Sequence, residues 1–347
     1  MGFLIRSGLI FGLTCIAQAQ IIFHIDAATT NDGDGSENHP FSTIQKAVEA
    51  IPEASEGAVT LRIHPGGYVL DGPITLDRGR FNAQKRLSIE AAILPDDPGW
   101  TPKEMPRIRS IEDPGKAEGR GKPIYGFRVA IPYAVFRGLR FEGNAAIGHR
   151  YYPIRRDDNT LNGLEVSQCL FNGNREKSPI HVAVIARGHG IVVEHNIFKQ
   201  CRNPTVFWVA EGGNSYGNAY RYNIAFDSYQ SGLWTTDTAS DFDFHHNIFQ
   251  GGKVFHNHRF ARESLFSFKQ SYIVGFQHWR RLVDGPGGGE APNPAPLTIR
   301  EFRLFRDAEL QFDLEEAKGT NRRWLHPLPG TPGSELGAGL FKGQPNH

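Results

Sequence analysis

The chain has 347 residues, of which 38 are basic and 37 acidic, and its net charge is +1 at pH 7. Because basic and acidic residues are nearly equal in number, the protein has no overall electric field that would attract nucleic acid or an anionic membrane. We therefore expect neither as a partner. An acidic ligand would have to be bound by a local cluster of basic residues. The 39 glycines and 22 prolines are typical of a turn-rich β protein.

The first residues have the pattern of a secretory leader. Arg6 precedes an apolar run, and Ala17-Gln18-Ala19 stands directly before Gln20. A basic residue, an apolar stretch and an A-x-A site are typical of a signal peptide, so residues 1–19 are predicted to be removed. The alternative is a membrane anchor, which the shortness of the apolar run disfavours. The mature protein is therefore expected to be secreted or periplasmic.

The mature chain is predicted to begin with a strand, IIFHIDA, followed by one short helix. Ser42 or Thr43 can cap this helix, and Pro52 ends it. Its apolar residues recur at helical spacing, at positions 44, 47, 48 and 51. A single amphipathic helix of this kind can cover the exposed end of a sheet.

A short pattern is repeated three times between Gly190 and Gly252. It reads VVEHNIFKQC, AYRYNIAFDS and DFHHNIFQGG, and its asparagines Asn196, Asn223 and Asn247 lie 27 and 24 residues apart. Looser copies place Cys169 and Ser271 in the same position. Apolar residues alternate within each copy, which indicates strands, and a repeat of this length indicates a solenoid. We predict that the asparagines stack at one corner, where asparagine tolerates a left-handed backbone.

Further strand-and-turn units are predicted before and after these copies. They cover residues 59–68, 87–91, 134–141, 164–171, 191–198, 218–226, 242–249 and 266–273. Residues 143–163 do not match the repeat and are predicted to form an insertion loop. Cys169 and Cys201 fall in different columns of the repeat, so two buried thiols are expected rather than a disulfide.

Three segments carry a resemblance to a known family. DGDGSENHPFSTIQKAVEAI, LRIHPGGY and the tail LHPLPGTPGSELGAG resemble secreted proteins of the pectin-lyase-like superfamily. The resemblance implies an all-β fold, a right-handed parallel β-helix (a solenoid) with an N-terminal capping helix, over residues 20–284. Residues 285–347 are then expected to form a linker and a C-terminal capping segment. These motifs are specific for the fold and say little about the substrate.

An aromatic stripe is predicted on the strands that follow the repeated asparagines. If Val206 points inward, then Phe207, Trp234, Phe255 and Trp279 point outward in one column, where sugar rings can stack. The alternative is an internal aromatic ladder, because a shift of one residue reverses every side chain.

Polar residues follow on the same strands and form the predicted active site. Neighbouring strands lie about 4.8 Å apart, so all of these residues could reach one disaccharide. The predicted catalytic residues are His258, Arg259, His256, Asp237 and Glu211. The predicted substrate-binding residues are Trp234, Trp279, Phe207, Asn257, Arg280, Arg281, Arg155 and Arg156.

Two reactions fit this cluster. In β-elimination an arginine neutralises a uronate carboxylate and a histidine takes the adjacent proton, roles predicted for Arg259 and His258. A glycoside hydrolase instead needs two carboxylic groups, for which Asp237 and Glu211 are the candidates. We expect a polysaccharide lyase that acts on an acidic, uronate-containing polymer. A non-catalytic carbohydrate-binding or surface protein is the alternative from another class.

The sequence predicts no firm cofactor. Calcium is possible as the ion that neutralises the uronate, but no packed acidic set lies in the outward column Glu165, Val192, Ala219 and Asp243. Cysteine and histidine spacing gives no zinc pattern, so no metal-ligating residue is assigned. The expected partner is the polysaccharide substrate, and the protein is expected to be a monomer.

Overall fold

A computed structural model of the protein describes residues 20–54, 57–115, 121–208, 215–236, 242–259, 266–284, 289–290, 299–305, 309–315 and 320–343. Within residues 259, 266–267, 280–284, 289–290 and 299–305 only the backbone is described. The chain forms a parallel β-helix, as predicted, in which each turn contributes strands to three parallel sheets. We name these sheets A, B and C.

Each sheet grows by pairing a strand with its equivalent one turn later. Sheet A contains β1 (Ile21–Ile25), β2 (Val59–Ile63), β5 (Leu87–Ala91), β8 (Ala134–Arg137), β11 (Asn162–Ser167), β14 (His189–Glu194), β17 (Ala219–Arg221) and β20 (Asp243–His245). Sheet B contains β3 (Gly67–Leu70), β6 (Arg107–Ser110), β9 (Arg140–Glu142), β12 (Leu170–Asn172), β15 (Ile197–Lys199) and β18 (Ile224–Phe226). Sheet C contains β4 (Ile74–Leu76), β7 (Pro123–Val129), β10 (Arg150–Arg156), β13 (Ile180–Ala186), β16 (Cys201–Phe207) and β19 (Ser231–Thr236).

Two long strands complete the C-terminal turns. β21 (Ile248–Arg259) belongs to sheets B and C, and β22 (Phe266–Asp284) belongs to all three sheets. β23 (Gly289–Glu290) pairs antiparallel with β22, and β24 (Ile299–Phe305) adds a further parallel strand beside it. The described part also contains one α-helix and two short 3₁₀ helices, Pro102–Glu104 and Ser334–Leu336. Every helix in this described part is too short and too polar to cross a membrane.

The N-terminal helix α1 (Ile44–Glu49) covers the first turn. Thr43 caps it by accepting a hydrogen bond from the backbone N–H of Lys46 at 3.3 Å. The apolar face of α1 is buried and joins the solenoid core beside β1 and β2. The predicted capping helix is confirmed, with Thr43 as its cap.

Stacked aromatic rings fill much of the interior. Parallel register places Phe141, Phe171 and Phe198 above one another, with ring centroids 5.0 Å apart at each step and nearly parallel planes. Tyr220 and Phe244 continue this internal ladder. Cys169 and Cys201 are free thiols, both buried as predicted. Aromatic stacking within the core is thus a main source of contact between successive turns.

The asparagine ladder is confirmed at the corner between sheets A and B. The side-chain Oδ1 of Asn223 accepts from the backbone N–H of Asn196 at 3.0 Å, and that of Asn247 accepts from the N–H of Asn223 at 3.0 Å. Cys169 and Ser271 end the ladder at either side, each bonded to the neighbouring asparagine. All three asparagines are completely buried.

The left-handed backbone lies one residue earlier than we predicted. The residues before each ladder position have positive φ: Gln168, His195, Tyr222, His246 and Gln270. The asparagine is therefore required because its side chain both donates and accepts hydrogen bonds. The residue before it adopts the left-handed conformation, which is energetically unfavourable for residues other than glycine. Its side chain points away from the core, where the rings of His195 and Tyr222 stack with centroids 4.7 Å apart.

The residue after each ladder position points outward on sheet B and is covered by the described part of the C-terminal tail, residues 309–315 and 320–343. Leu170, Ile197, Ile224, Ile248 and Tyr272 form this column and pack against a set of buried tail residues: Leu310, Trp324, Leu325, Ala338, Leu340 and Phe341. The tail was predicted to cap the C-terminal end. β24 does extend that end, but residues 309–315 and 320–343 lie along the side of the solenoid, because sheet B presents an apolar column there.

His326 holds the tail in place through hydrogen bonds that require its neutral form, so this attachment depends on pH. Its Nε2 accepts from the N–H of Leu340 at 2.9 Å and its Nδ1 donates to the carbonyl of Trp324 at 3.0 Å, so the ring is neutral. Burial lowers the pKa of His326 from 6.5 to about 4. Because the folded pKa lies below the unfolded one, the unfolded chain binds more protons between these two values. Stability therefore falls as the pH falls through this window.

We expect acidification from pH 6.5 to 4 to lower the melting temperature, with His326 contributing about 3 kcal/mol. His326→Gln keeps an acceptor for Leu340 but does not titrate, so its melting temperature should depend less steeply on pH. Thermal unfolding at several pH values measures both proteins. An unchanged pH dependence in the variant would contradict this role.

The predicted insertion loop at 143–163 is wrong. This segment contains β10, a regular strand of sheet C that pairs with β7 on one side and β13 on the other. The sequence does not reveal this strand because the alternation of inward and outward side chains is interrupted at Pro153. The two adjacent tyrosines before it, Tyr151 and Tyr152, add to the irregular pattern. Correcting this assignment brings Arg155 onto the same face as Trp234.

Candidate functional site

One outward column runs along sheet C across successive turns. Register aligns its members directly, and they are Thr75, Arg128, Arg155, Ile185, Val206, Trp234, Asn257 and the backbone position of Arg281. With about 4.8 Å between strands, the column is roughly 34 Å long. After Thr75 it is basic at Arg128 and Arg155, apolar from Ile185 to Trp234, and polar again at Asn257. This length and polarity suit an extended polymer rather than a compact ligand.

Aromatic side chains cluster beside this column. Tyr125 and Tyr152 stack with centroids 5.9 Å apart, and Trp208 and Trp234 lie 6.0 Å apart with tilted planes. These rings pack with three aliphatic side chains, Val182, Ile185 and Val206. Tyr125, Trp208 and Trp234 are half-buried, so part of each ring surface is accessible. Flat apolar rings with a polar edge are what a sugar ring stacks against.

Arginines lie over the tyrosine rings. The guanidinium carbon of Arg155 is 5.0 Å from the ring centroid of Tyr152 and 5.4 Å from that of Tyr125. The guanidinium carbon of Arg128 also lies 5.5 Å from the ring centroid of Tyr125. Asp157 accepts two hydrogen bonds from Arg155 Nε, each 2.8 Å long. The tyrosines therefore position these cations by cation–π contact, and Arg128 is exposed at the end of the stack.

His181 lies beside the same rings. Its ring packs edge-on against Tyr152 at 5.6 Å, and Arg202 Nη1 lies 3.5 Å from its Nδ1. Burial lowers the pKa of His181 to about 3, and the charges of Arg202 and Arg150 add to this effect. The ring is therefore neutral at physiological pH, with Nδ1 facing the Arg202 cation. Burial also raises the pKa of Tyr152, so its phenol keeps its proton.

The residues of the predicted aromatic stripe do not form one column. Phe207 pairs with Thr235, not with Trp234, and only 1% of its surface is exposed. Phe255 is also in the core, and Trp279 packs against it with centroids 4.8 Å apart. Trp234 alone of the four lies on the outer face, where it pairs with Val206. The expectation that Val206 points inward was wrong, and the alternative of an internal ladder applies to Phe207 and Phe255.

His256 and His258 lie inside the solenoid. Their exposed fractions are 1% and 0%, and both contact the buried hydroxyl of Thr235, with Oγ1 at 2.9 Å from His256 Nε2 and 3.1 Å from His258 Nδ1. The prediction that His258 lies on the exposed face is therefore wrong. Asn257, between them, has the outward position beside Trp234 but is itself buried.

Arg156 is a structural residue, contrary to our prediction of a role in substrate binding. It is completely buried, and its guanidinium donates to the carbonyls of Arg187 at 2.7 Å and His189 at 3.4 Å. Burial lowers its pKa to about 10, which still leaves it charged at neutral pH. The neighbouring Arg155 faces outward because successive residues of a strand point to opposite faces.

The remaining predicted residues cannot be placed as side chains. Glu211 and Asp237 lie outside the described residues. Arg259, Arg280 and Arg281 belong to strands of sheet C, where Arg280 pairs with His256 and Arg281 with Asn257, but only their backbone is described.

Sequence reasoning missed Tyr125, Tyr152, Trp208, His181 and Arg202 as a group. Tyr152 was assigned to a loop, and the others lie on strands for which no repeat of the asparagine pattern sets the register. The usable signal was an aromatic residue followed three positions later by an arginine on two successive strands, Tyr125 with Arg128 and Tyr152 with Arg155. That signal becomes visible only after β10 is recognised as part of sheet C.

The described residues do not offer a calcium cage on this face. Ca²⁺ takes six to eight oxygen ligands. The column on sheet C instead presents arginines, and Asp157 is paired with Arg155. No group of three or more His, Cys, Asp or Glu side chains in the described part of the chain is arranged to bind a metal ion.

Comparison with known proteins gives a likeness of fold. No family model and no curated protein matches the chain. Among solved structures it is similar to the GH136 lacto-N-biosidase from Eubacterium ramulus, with 8% identity, a TM-score of 0.40 and coverage of 76% of this chain and 56% of that one. It is also similar to pectate lyase Pel9A, with 12% identity, a TM-score of 0.35 and coverage of 92% and 91%. The chain thus spans little more than half the length of the biosidase.

Proposed function

We propose that this protein is a carbohydrate-active enzyme that cleaves an acidic, uronate-containing polysaccharide by β-elimination on the outer face of sheet C. The observation that carries the proposal is the neutral His181 between Tyr152 and Arg202, beside a half-buried aromatic column. The predicted reaction is retained, and its base and cation are reassigned from His258 and Arg259 to His181 and Arg202.

The chemistry follows from the charges around His181. A uronate carboxylate bound to Arg202 would withdraw electron density from the adjacent carbon, whose proton becomes acidic enough to be removed. His181 Nδ1 lies 3.5 Å from the same guanidinium and would take this proton. The bond from the next carbon to the glycosidic oxygen then breaks, and a carbon–carbon double bond forms. The leaving oxygen needs a proton, which the phenol of Tyr152 can donate.

Binding of the carboxylate also activates the base. The positive charges of Arg202 and Arg150 contribute to the low pKa of His181, after burial as the larger cause. A carboxylate on Arg202 cancels part of this repulsion, so the imidazole becomes a stronger base when the substrate is bound. Stacking on Trp208 and Trp234 would hold further sugar units along the column.

The reaction class is tested by incubation with a panel of uronate and neutral polysaccharides. Unsaturated products that absorb ultraviolet light are expected from the uronate polymers. New reducing ends without unsaturation would instead indicate a hydrolase, for which Asp237 and Glu211 remain the candidates. Binding without products would indicate a non-catalytic carbohydrate-binding protein.

An extracellular polymer requires an exported enzyme, so we also propose that the leader is cleaved after Ala19. The first described strand begins at Ile21, which leaves room for a mature N-terminus at Gln20. N-terminal sequencing of the protein from culture supernatant or periplasm should read QIIFHI. Retention of the intact leader in a membrane fraction would contradict this prediction.

A further inference from the structure

A groove lies on the outer face of sheet B at its N-terminal end, away from the sheet C face. The tail covers sheet B from β12 onward but leaves β3 and β6 uncovered, and the groove occupies this uncovered part. Its volume is about 760 Å³, which is large enough for several sugar units. The residues that carry the argument are Val69, Arg107, Arg109, Ile111, Glu142 and Asn144.

Two arginines of β6 are directed into this groove. Arg107 and Arg109 are two residues apart on one strand, so they point to the same face. Both are exposed, and within the described part of the chain neither guanidinium has a hydrogen-bond or ion-pair partner. Arg140, which pairs with Arg107 on the next strand, differs because its Nε bonds Glu142 at 2.6 Å and its guanidinium covers Trp324. The cations available to a ligand are therefore Arg107 and Arg109.

Apolar side chains lie beside these cations. Val69 is directly opposite Arg109 in the parallel register and is 55% exposed, and Ile111 is 52% exposed. These two side chains give the groove a small apolar surface beside the charged row. The lining also contains the carboxylates of Glu112, Asp113 and Glu142, of which Glu142 is paired with Arg140. The row formed by Val69, Arg107 and Arg109 is the part that suits a uronate chain, whose rings have apolar faces and whose carboxylates recur along the polymer.

The wall of the groove is formed before any ligand binds. Asn144 is 2% exposed, and its amide donates to the carbonyls of Ser110 at 3.1 Å and Glu112 at 3.0 Å. Its side-chain oxygen accepts from the N–H of Ala146 at 2.7 Å. These bonds fix residues 143–146 against the strand end after β6. A rigid wall reduces the entropy lost on binding, which favours a recognition site over an adaptable surface.

We propose that this groove is a second, non-catalytic binding site for an acidic polysaccharide, with Arg107 and Arg109 as its carboxylate ligands. The inference rests on the proposed function for its choice of ligand. No histidine is among the described residues that line the groove, so the base proposed on sheet C has no equivalent here. The site anchors the polymer while another segment of the same chain occupies sheet C. Two linked binding events raise the apparent affinity for long chains only.

The test compares Arg107→Ala/Arg109→Ala with a control that removes the same charge elsewhere, Arg80→Ala/Lys103→Ala. Both control residues are exposed and lie outside the groove. On a long uronate polymer we expect the groove variant to raise KM about tenfold with kcat unchanged, and on a uronate trisaccharide to match the wild type. The control should behave like the wild type on both substrates. Calorimetric binding of the same polymer, and of a neutral polymer of equal length, gives a readout independent of turnover.

The outcomes separate the two proposals. If polymer is cleaved but the groove variant keeps its KM and its affinity, the second site is wrong and the proposed function stands. If no polymer is cleaved but uronate binding still falls about tenfold in the groove variant alone, the second site stands and the lyase assignment fails. Equal losses in both variants would show that only general charge attraction is present. Equal affinity of the protein for the neutral polymer would show that the groove does not recognise carboxylates, and either result would overturn the inference.

Discussion

Replacing His181 with alanine should lower kcat on a uronate polymer by about 10²–10⁴-fold, because it removes the group that takes the proton. Arg202→Ala should lower kcat by about 10²-fold or more, because the uronate carboxylate would no longer be neutralised. Initial rates of ultraviolet absorbance measure both effects. The exposed His39 serves as the control, since its segment is bonded beside β1 of sheet A and His39→Ala should leave the rate unchanged.

The pH profile distinguishes a base from a structural residue. Only neutral His181 can accept a proton, and its pKa is lowered to about 3, so kcat/KM should stay high well below pH 6.5. Arg202→Lys keeps the positive charge and should retain more activity than Arg202→Ala. Circular dichroism and melting temperature establish that each variant is folded. Normal turnover by a folded His181→Ala protein would eliminate this residue as the base.

Asn223→Ala should destabilise the protein by about 3–5 kcal/mol. Asn223 Nδ2 donates to the carbonyl of Val193 at 2.8 Å, and its Oδ1 accepts from both the N–H and the side chain of Asn196 at 3.0 Å. Removal leaves several buried groups without partners, each of which costs about 1–3 kcal/mol. Urea and thermal unfolding measure the loss.

Two further variants test whether the ladder itself is responsible. Asn223→Ser should cost less than Asn223→Ala, because Ser271 already fills a ladder position and accepts from Asn247 at 3.0 Å. Asn172→Ala is a matched control outside the ladder, since that side chain makes one bond, to half-buried Glu142. Its expected cost is below about 1 kcal/mol. Equal destabilisation by Asn223→Ala and Asn172→Ala would refute the ladder as a special element.

The sequence predicted the solenoid because its strongest signal is local and repeated. Asn196, Asn223 and Asn247 recur with the flanking alternation intact, and stacking follows from that spacing alone. The outward column Glu165, Val192, Ala219 and Asp243 was also aligned correctly, since it lies only a few residues before the ladder. The strand register is predicted reliably near the ladder, because few residues lie between the ladder asparagine and the aligned position.

The site was predicted less well because it lies farther along each turn. Val206 follows Asn196 by ten residues, whereas its partner Trp234 follows Asn223 by eleven. The corner between sheets B and C is therefore one residue longer in one turn than in the other. Equal spacing paired Phe207 with Trp234, and a shift of one residue exchanges inside and outside. His256 and His258 are a different case, because they were assigned to the surface for their polarity although alternation from the outward Asn257 places both on the inner face.

The C-terminal tail changes how this solenoid is expected to fold. A repeat protein normally has contacts only between neighbouring turns, so its turns can form and fray one after another. Here Glu335 bonds Tyr272 on β22, Gly339 bonds Tyr222, and Lys342 bonds Asp96 across 246 residues of sequence. These contacts close a very large loop and can form only after most turns are in place. The tail therefore makes distant turns unfold together, and its docking is expected to be a late and slow step in folding.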